Sequence, residues 1–381
     1  MSLYRKTMIV SFALLCGLGA VSVPTTAVAE PDAAAVDTDG DGLPDAWEKN
    51  GYDADGDGKI DVDLPKLGAN PNHKDIFVEM DYMNGRLPTT AALDRVVNVF
   101  ATAPVTNPDN KPGITIHLDA GNARGAAYNL GGGNQVPYDD NLSPVDSQVG
   151  AIKRTNFNSK RAAVFHYMIW ADSYDNGCSS GISLGIPADT FVVALGPKCG
   201  WNPGDDGNVG TFIHELGHNL GLKHGGVDHT NYKPNYLSVM NYSFQFGGVP
   251  KTEGGADFGY SRVNPPALNE NSLQERQGLG PTAAPWKTTY FCPDGTRRRT
   301  QNAASQPIDW DCDGSIDTNA VRSSINNDNS YGTLQAQNNW SSLVYTGGAV
   351  GPLAPETRDL PERSPEEMTK TEFDKLQRSL R

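Results

Sequence analysis

The sequence predicts a mixed α/β (α+β) fold, and three observations support this prediction. Between residues 74 and 196, short segments rich in β-branched and aromatic residues alternate with segments of helical periodicity, as is typical of a sheet covered by helices. The chain has 381 residues, enough to bury one large core with appendages. Its 41 glycines and 26 prolines indicate extensive loops between the regular elements.

The predicted elements follow one another along the chain. A strand is predicted for DIFVEMDYM, a helix with a threonine cap for TTAALDRVVNVFATA, and a second strand for GITIHLDAG. A helix near residues 147–162 and the strands VFHYMIWAD and TFVVALG come next. In SPEEMTKTEFDKLQRSLR, Ser364 is predicted as the N-cap of a last helix, Pro365 as its first residue and Glu367 as its third.

Residues 1–29 have the pattern of a secretory signal peptide. Arg5 and Lys6 precede an apolar run, which ends in the small-x-small pattern AVA. A membrane anchor is the alternative, but the run is too short to span a bilayer comfortably. We therefore expect a secreted, extracellular protein without a membrane span in the mature chain.

Four cysteines remain beyond the predicted leader, an even number that favours disulfides in an oxidising compartment. Each neighbouring pair brackets a loop of roughly twenty residues, so we expect the bridges Cys178–Cys199 and Cys292–Cys312, although the two other pairings stay open. The chain has no C-x-x-C motif, which makes cysteine an improbable metal ligand here.

The acidic residues indicate divalent cations rather than polyanionic partners. A formal net charge of -14 argues against nucleic acid and against an anionic membrane surface. Much of the acidity lies in Asp-rich loops rather than on helix faces. Such loops supply the hard oxygen ligands that calcium prefers.

Three of these loops have the alternating carboxylates of a calcium-binding loop. DTDGDGLPDAWE has the full spacing, whereas DADGDGKIDVDL and the loop at DWDCDGSID lack the acidic residue at position 12. The tandem spacing of the first two resembles thrombospondin type 3 or dockerin-like repeats, and solvated acidic turns are the alternative for each loop. The candidate calcium ligands are Asp37, Asp39, Asp41, Asp45, Glu48, Asp53, Asp55, Asp57, Asp61, Asp309, Asp311, Asp313 and Asp317.

The motif HELGHNLGLKH predicts a zinc site. On a helix, His214 and His218 are one turn apart and project from one face, so that both imidazoles can bind one ion. Glu215 lies beside them, where its carboxylate can reach a water on the metal and act as a general base.

Gly221 and His224 complete the predicted ligand set. Gly221 is expected to end the helix in the left-handed conformation, so that the chain turns back and brings His224 to the metal. His229 is a competing candidate for the third position. Three protein ligands leave a fourth position open, which is typical of catalytic zinc.

With these residues the chain resembles the metzincin clan of zinc metallopeptidases, whose signature is HExxHxxGxxH. The segment SVMNY is similar to the Met-turn of that clan. The resemblance implies that Met240 forms an apolar floor beneath the ligands and that Tyr242 stabilises the oxyanion, with Tyr236 as a less favoured alternative for the tyrosine.

The resemblance also implies a fold, an activity and a division of the chain. It implies two subdomains with a twisted, mostly parallel sheet above the active-site helix, and a secreted zinc endopeptidase with one catalytic zinc, structural calcium, and protein or peptide substrates. TFVVALG is a candidate edge for strand addition by substrate. The expected parts are a leader at 1–29, calcium loops at 30–73, a catalytic domain at 74–250, an extension at 251–354, and a linker with a terminal helix at 355–381.

Two other functions are consistent with the sequence. A secreted calcium-binding adhesion or scaffold protein with an inactive metalloprotease-like domain is favoured by the three acidic loops. A zinc hydrolase that does not act on peptides is the other, and the Met-turn argues against it. The complete set of ligands and base favours the peptidase.

Overall fold

The computed structural model describes residues 36–345, 351 and 362–380. The predicted signal peptide and parts of the predicted extension and linker lie outside these residues. The described residues form one compact unit. No helix in the described part of the chain combines the length and the apolarity that a bilayer crossing requires.

A mostly parallel sheet is the centre of the structure, which confirms the mixed α/β prediction. Strands β2, β1, β4 and β6 are parallel neighbours in that order, and β5 pairs antiparallel with β6 at the edge. The short strand β3 pairs with the end of β1. These strands are β1 (Asp75–Met83), β2 (Thr115–Asp119), β3 (Gln135–Val136), β4 (Phe165–Trp170), β5 (Gly181–Ser183) and β6 (Thr190–Val193).

Six α-helices occur in the described residues. Thr89 caps α3 as predicted, because its hydroxyl accepts a hydrogen bond from the Ala92 N–H. The helix predicted near 147–162 begins and ends earlier than expected. The helices are α1 (Asp45–Asn50), α2 (Leu64–Leu67), α3 (Thr90–Ala101), α4 (Val145–Asn156), α5 (Gly204–Asn219) and α6 (Lys370–Ser379).

Both faces of the sheet are covered, as expected for buried parallel strands. Along β1, Val78 packs with α3 and α5 in one hydrophobic core, whereas the next residue towards the amino end, Phe77, packs with α4 in a second. This alternation follows from the period of two in a strand. It places α5, which bears the histidine motif, against one face of the sheet.

The chain after residue 250 contributes a third core, built on short hairpins. Trp310 is fully buried there and packs beside Tyr290. The short strands are β7 (Val249–Pro250), β8 (Ala256–Asp257), β9 (Leu268–Asn269), β10 (Thr289–Phe291), β11 (Arg297–Arg299) and β12 (Thr333–Leu334). Both predicted disulfides are present, Cys178–Cys199 and Cys292–Cys312.

The last helix begins later than the sequence predicts. Ser364 does not cap it. Instead, the Ser364 hydroxyl donates to the Glu367 carboxylate at 2.9 Å, and residues 363–368 have no regular structure. Thr369 and Glu372 form the capping box in its place. Two patterns of the S/T-x-x-E type therefore lie in this segment, and only the second is used as a cap.

Candidate functional site

Helix α5 carries His214 and His218, and the turn after it brings His224 to the same point. The Nε2 atom of His218 lies 3.2 Å from that of His214 and 3.1 Å from that of His224. All three side chains are buried. Tetrahedral zinc with Zn–N distances of about 2.0–2.1 Å would hold its ligand nitrogens roughly 3.4 Å apart, close to the separation observed here.

The end of α5 explains how His224 reaches this point. Gly221 has φ +86°, and its N–H donates to the His218 carbonyl while the Leu222 N–H donates to the Gly217 carbonyl. These two bonds form a Schellman motif, in which a left-handed residue closes the helix. The chain then turns back beside its own last turn.

Backbone carbonyls orient two of the imidazoles. Nδ1 of His214 lies 2.8 Å from the Val239 carbonyl, and Nδ1 of His218 lies 2.8 Å from the Leu222 carbonyl. A histidine ring that donates from Nδ1 to a carbonyl presents its Nε2 lone pair to the centre, which is the usual orientation of a metal-binding histidine. Lone pairs that face one another are repulsive unless a cation lies between them.

Glu367 supplies a fourth candidate ligand atom. The sequence predicted Glu367 in the last helix, but it lies before that helix begins. Its Oε2 is 3.0 Å from Nε2 of His214 and of His224, and its Oε1 is 3.2 Å from Nε2 of His218. The Glu367 side chain is fully buried. The four residues form a group that could hold one metal ion.

The charge state of the cluster also favours a cation. Charged imidazoles would lower the pKa of Glu367, but burial lowers the pKa of His224 to about 4 and so keeps that ring neutral. The centroids of the three rings are only 4.7–5.2 Å apart, so three imidazolium ions would repel one another strongly. Neutral imidazoles and one carboxylate are a donor set that suits zinc.

Glu215 is buried beside the histidines without a hydrogen-bond partner among the described residues. Both carboxylate oxygens are unpaired. Burial raises the pKa of Glu215 well above its usual range, and the negative charge of Glu367 raises it further. An orphaned carboxylate at this position is the group that a nearby water would satisfy.

Two glycines allow close packing around these groups. A Cβ on Gly181 in β5 would lie 2.5 Å from the Glu215 carboxylate, and a Cβ on Gly217 would lie 2.3 Å from Sδ of Met240. Met240 is fully buried. Its side chain lies directly against α5 at Gly217, the residue before His218. The turn that contains Met240 also supplies the Val239 carbonyl.

Tyr242 lies on the other side of the cluster, and Tyr236 does not. The Tyr242 hydroxyl is 3.0 Å from Oε2 of Glu367 and 2.9 Å from the Glu366 carbonyl. Burial, followed by the charge of Glu367, raises its pKa well above the usual range, so it is a hydrogen-bond donor at neutral pH. Tyr236 instead bonds to Asn339 at 2.8 Å.

His229, the competing ligand, faces another partner. Its Nε2 lies 3.0 Å from a carboxylate oxygen of Glu362, and its side chain is partly exposed. His229 is not part of the group formed by the other three histidines and Glu367.

The first acidic loop forms a buried carboxylate cluster with a residue that the sequence did not nominate. Asp41 and Glu48 lie together with Asp75, the first residue of β1, and Asp37, Asp39 and Asp41 form an adjoining group. Both oxygens of Glu48 are unpaired, although the side chain is only 2% exposed. Asp45 lies outside both groups, because it accepts hydrogen bonds from Thr38.

The second and third acidic loops are arranged differently. In the second, Asp53, Asp55 and Asp57 lie together, while Asp61 pairs with the ammonium group of Lys160 at 2.6 Å. The third loop brings Asp309 and Asp311 next to Glu275, whose carboxylate also accepts the backbone N–H of Asp317. Asp313 accepts from Ser315.

Comparisons of the chain with protein-family models, with curated proteins and with solved structures found no match.

Proposed function

We propose that the protein is a secreted, metzincin-like zinc endopeptidase. The observation that carries this proposal is the buried convergence of three histidines beside the unpaired carboxylate of Glu215. A zinc ion held by His214, His218 and His224 would supply an activated water nucleophile at neutral pH.

The chain's own residues would then perform the proton transfers. Glu215 accepts a proton from the attacking water and returns it to the nitrogen of the leaving amine. Tyr242, held as a neutral phenol, donates a hydrogen bond to the oxyanion that develops on the scissile carbonyl.

Supporting residues keep this geometry rigid. The carbonyls of Val239 and Leu222 orient His214 and His218, and Met240 fills the space beneath them. Two disulfides favour an oxidising, extracellular location. We assign structural calcium to the first acidic loop, because Glu48 is buried without a partner and faces Asp41 and Asp75.

The test is hydrolysis of casein by the wild type and by Glu215→Gln, with each protein also carrying Glu367→Ala so that the metal position is open. We expect Glu215→Gln to lower the rate roughly 10²–10⁴-fold, because general acid–base catalysis is lost. One zinc per chain should remain in both proteins by metal analysis. Equal residual hydrolysis in the two would refute the mechanism.

The scaffold alternative gives a different result. The fourth ligand, Glu367, would then belong to a closed structural zinc site, since structural sites have four protein ligands. One zinc per chain, with no hydrolysis in any variant, would favour that alternative.

A further inference from the structure

We propose that residues 362–369, called here the 362–369 segment, occupy the peptide-binding groove of the same site and keep it latent, with Glu367 as the fourth metal ligand. The latency rests on the proposed function. The occupancy of the groove rests on the contacts of the segment with the sheet edge and with the histidines. Occupancy and latency can therefore be tested separately.

The 362–369 segment lies along the edge strand β5. Antiparallel bridges join Ser179 to Thr369 and Ile186 to Glu362. The two bridges are seven residues apart on both segments, so they belong to one register, in which Gly181 stands opposite Glu367. The two bridges flank β5 on either side, so the segment passes this sheet edge in the antiparallel direction, as a peptide does when it adds to an edge.

Main-chain hydrogen bonds fix this register. The Ser180 N–H donates to the Met368 carbonyl at 2.9 Å, and the Ile186 N–H donates to the Glu362 carbonyl at 2.8 Å. The Lys370 N–H donates to the Cys178 carbonyl at 2.9 Å. Bonds of this kind do not depend on side-chain identity, so the same edge can bind other extended peptides.

This edge is not the one that the sequence indicated. TFVVALG was predicted as the edge, but β6 lies between β4 and β5 in the sheet. The three residues of β5 are too few for a pattern to reveal a strand. The groove is therefore formed by β5 on one side and by the histidines and Tyr242 on the other.

Glu367 blocks the chemistry of the site. Its carboxylate takes the fourth ligand position, which must be open for catalysis. It also accepts from Tyr242, while Ser364 holds its other oxygen at 2.9 Å. Both the metal position and the oxyanion donor are thus occupied by the segment itself.

Contacts at both ends hold the 362–369 segment in place. At one end, Glu362 forms an ion pair with Lys223 at 2.6 Å, and its carboxylate lies at hydrogen-bond distance, 3.0 Å, from Nε2 of His229. At the other, Met368 is fully buried in the main core, and Phe373 of α6 packs on Phe246 with ring centroids 4.5 Å apart. These contacts favour the occupied groove over the open one.

The experiment compares four full-length proteins: the wild type, Glu367→Ala, Glu367→Gln, and the control Glu366→Gln. The side chain of Glu366 is exposed, so its substitution removes the same charge from the same segment without opening the metal position. We expect casein hydrolysis to rise about tenfold or more in both Glu367 variants and to stay at the wild-type rate in the control.

A second measurement does not depend on activity. Backbone hydrogen exchange at Ser180 and Ile186 is followed in the inactive Glu215→Gln background. We expect Glu367→Gln, which keeps the shape of the side chain, to speed exchange at Ser180, because its acceptor Met368 leaves the edge. A synthetic peptide of sequence ERSPEEMT should restore the protection.

The outcomes separate the two proposals. Unchanged exchange at both amides, or measurable wild-type hydrolysis that is as fast as that of the Glu367 variants, would overturn the latency. Faster exchange and peptide-restored protection, with no hydrolysis in any variant, would support the occupied groove and refute the endopeptidase.

Discussion

At the scale of single residues, the site depends on small side chains as much as on its ligands. Gly181 lets the Glu215 carboxylate approach β5, and Gly217 lets Met240 reach the helix between two ligands. The spacing of the histidines and the glutamate does not predict either glycine. Each is needed because a side chain from another part of the fold packs where its Cβ would lie.

Gly181→Ala should damage both stability and catalysis. The added Cβ would meet the Glu215 carboxylate at 2.5 Å and the Val192 carbonyl at 2.6 Å, and the latter is backbone that cannot swing aside. We expect the free energy of unfolding to fall by about 1–3 kcal/mol, as measured by urea denaturation. Casein hydrolysis should also fall, with zinc content unchanged.

Gly247→Ala is the matched control for this substitution. Nothing lies within 4 Å of the Cβ position at Gly247, and its φ is in the ordinary range. Wild-type stability in Gly181→Ala would contradict the proposed packing of Glu215 against β5.

His166 should make stability depend on pH. It is buried in β4, its Nδ1 is 3.2 Å from the side-chain amide of Asn219, and burial lowers its pKa to about 4, with opposing smaller effects of Asp189 and Lys153. The unfolded chain protonates His166 near its ordinary pKa of about 6.5, whereas the folded chain does not until pH 4. The free energy of unfolding therefore falls as the pH decreases from 6.5 towards 4, because only the unfolded chain binds the proton in this range.

His166→Gln isolates this effect. The free energy of unfolding of the wild type should fall by about 2 kcal/mol more than that of the variant between pH 7.5 and pH 5. Urea denaturation at the two pH values measures the difference. Parallel pH profiles for the two proteins would show that His166 is not a buried neutral residue.

At the scale of elements, the end of α5 decides where the third histidine lies. The Schellman motif at Gly221 reverses the chain within three residues and brings His224 back to His218. The start of α6 is decided in the same local way, by the capping box of Thr369 and Glu372. Ser364 does not cap the helix, because its hydroxyl donates to Glu367, whose carboxylate lies beside the histidines.

Gly221→Ala should weaken zinc binding. Gly221 has φ +86°, which costs a residue with a Cβ about 1 kcal/mol or more. We expect lower stability and a zinc dissociation constant raised about fivefold or more, measured by competition with a chelator.

Gly221→Asn is the control. Its Cβ meets the same neighbour, Val344, at 3.0 Å, but asparagine tolerates the left-handed conformation. The asparagine variant should therefore retain more zinc affinity than the alanine variant. If both variants lose the same affinity, the contact with Val344 is responsible and the backbone conformation is not.

At the scale of the whole molecule, one acidic loop is attached to the central sheet. Asp41 accepts the backbone N–H of Asp75 at 2.7 Å, and the carboxylates of both residues lie with that of Glu48. Calcium bound there would join the chain around α1 to the first residue of β1. The proposed role of this ion is therefore to stabilise the fold, away from the catalytic centre.

Removal of calcium should lower the melting temperature at constant free zinc. A ligand that binds only the folded state contributes about 2.7 kcal/mol when present at a hundred times its dissociation constant. Glu48→Gln should abolish most of the calcium-dependent part, whereas the control Glu253→Gln, on an exposed glutamate, should keep it. A melting temperature that is insensitive to EGTA would contradict the assignment.

The sequence by itself determined what depends on short-range geometry. Helical periodicity placed His214 and His218 on one face, and the need for a left-handed residue placed the turn at Gly221. The strand at residues 75–83, the cap at Thr89 and both disulfides were predicted for similar reasons, since each depends on neighbouring residues or on a short loop.

Only the tertiary structure decided what meets across long separations in the chain. Glu367 reaches His214 from 153 residues away, Asp75 joins Asp41 across 34 residues, and β5 becomes the edge because β6 pairs with β4. No local pattern encodes such contacts, because they arise when hydrophobic cores form and bring distant segments together. The sequence thus predicted a site with an open metal position, whereas the fold brings the Glu367 carboxylate of the same chain to 3.0–3.2 Å from the three histidines.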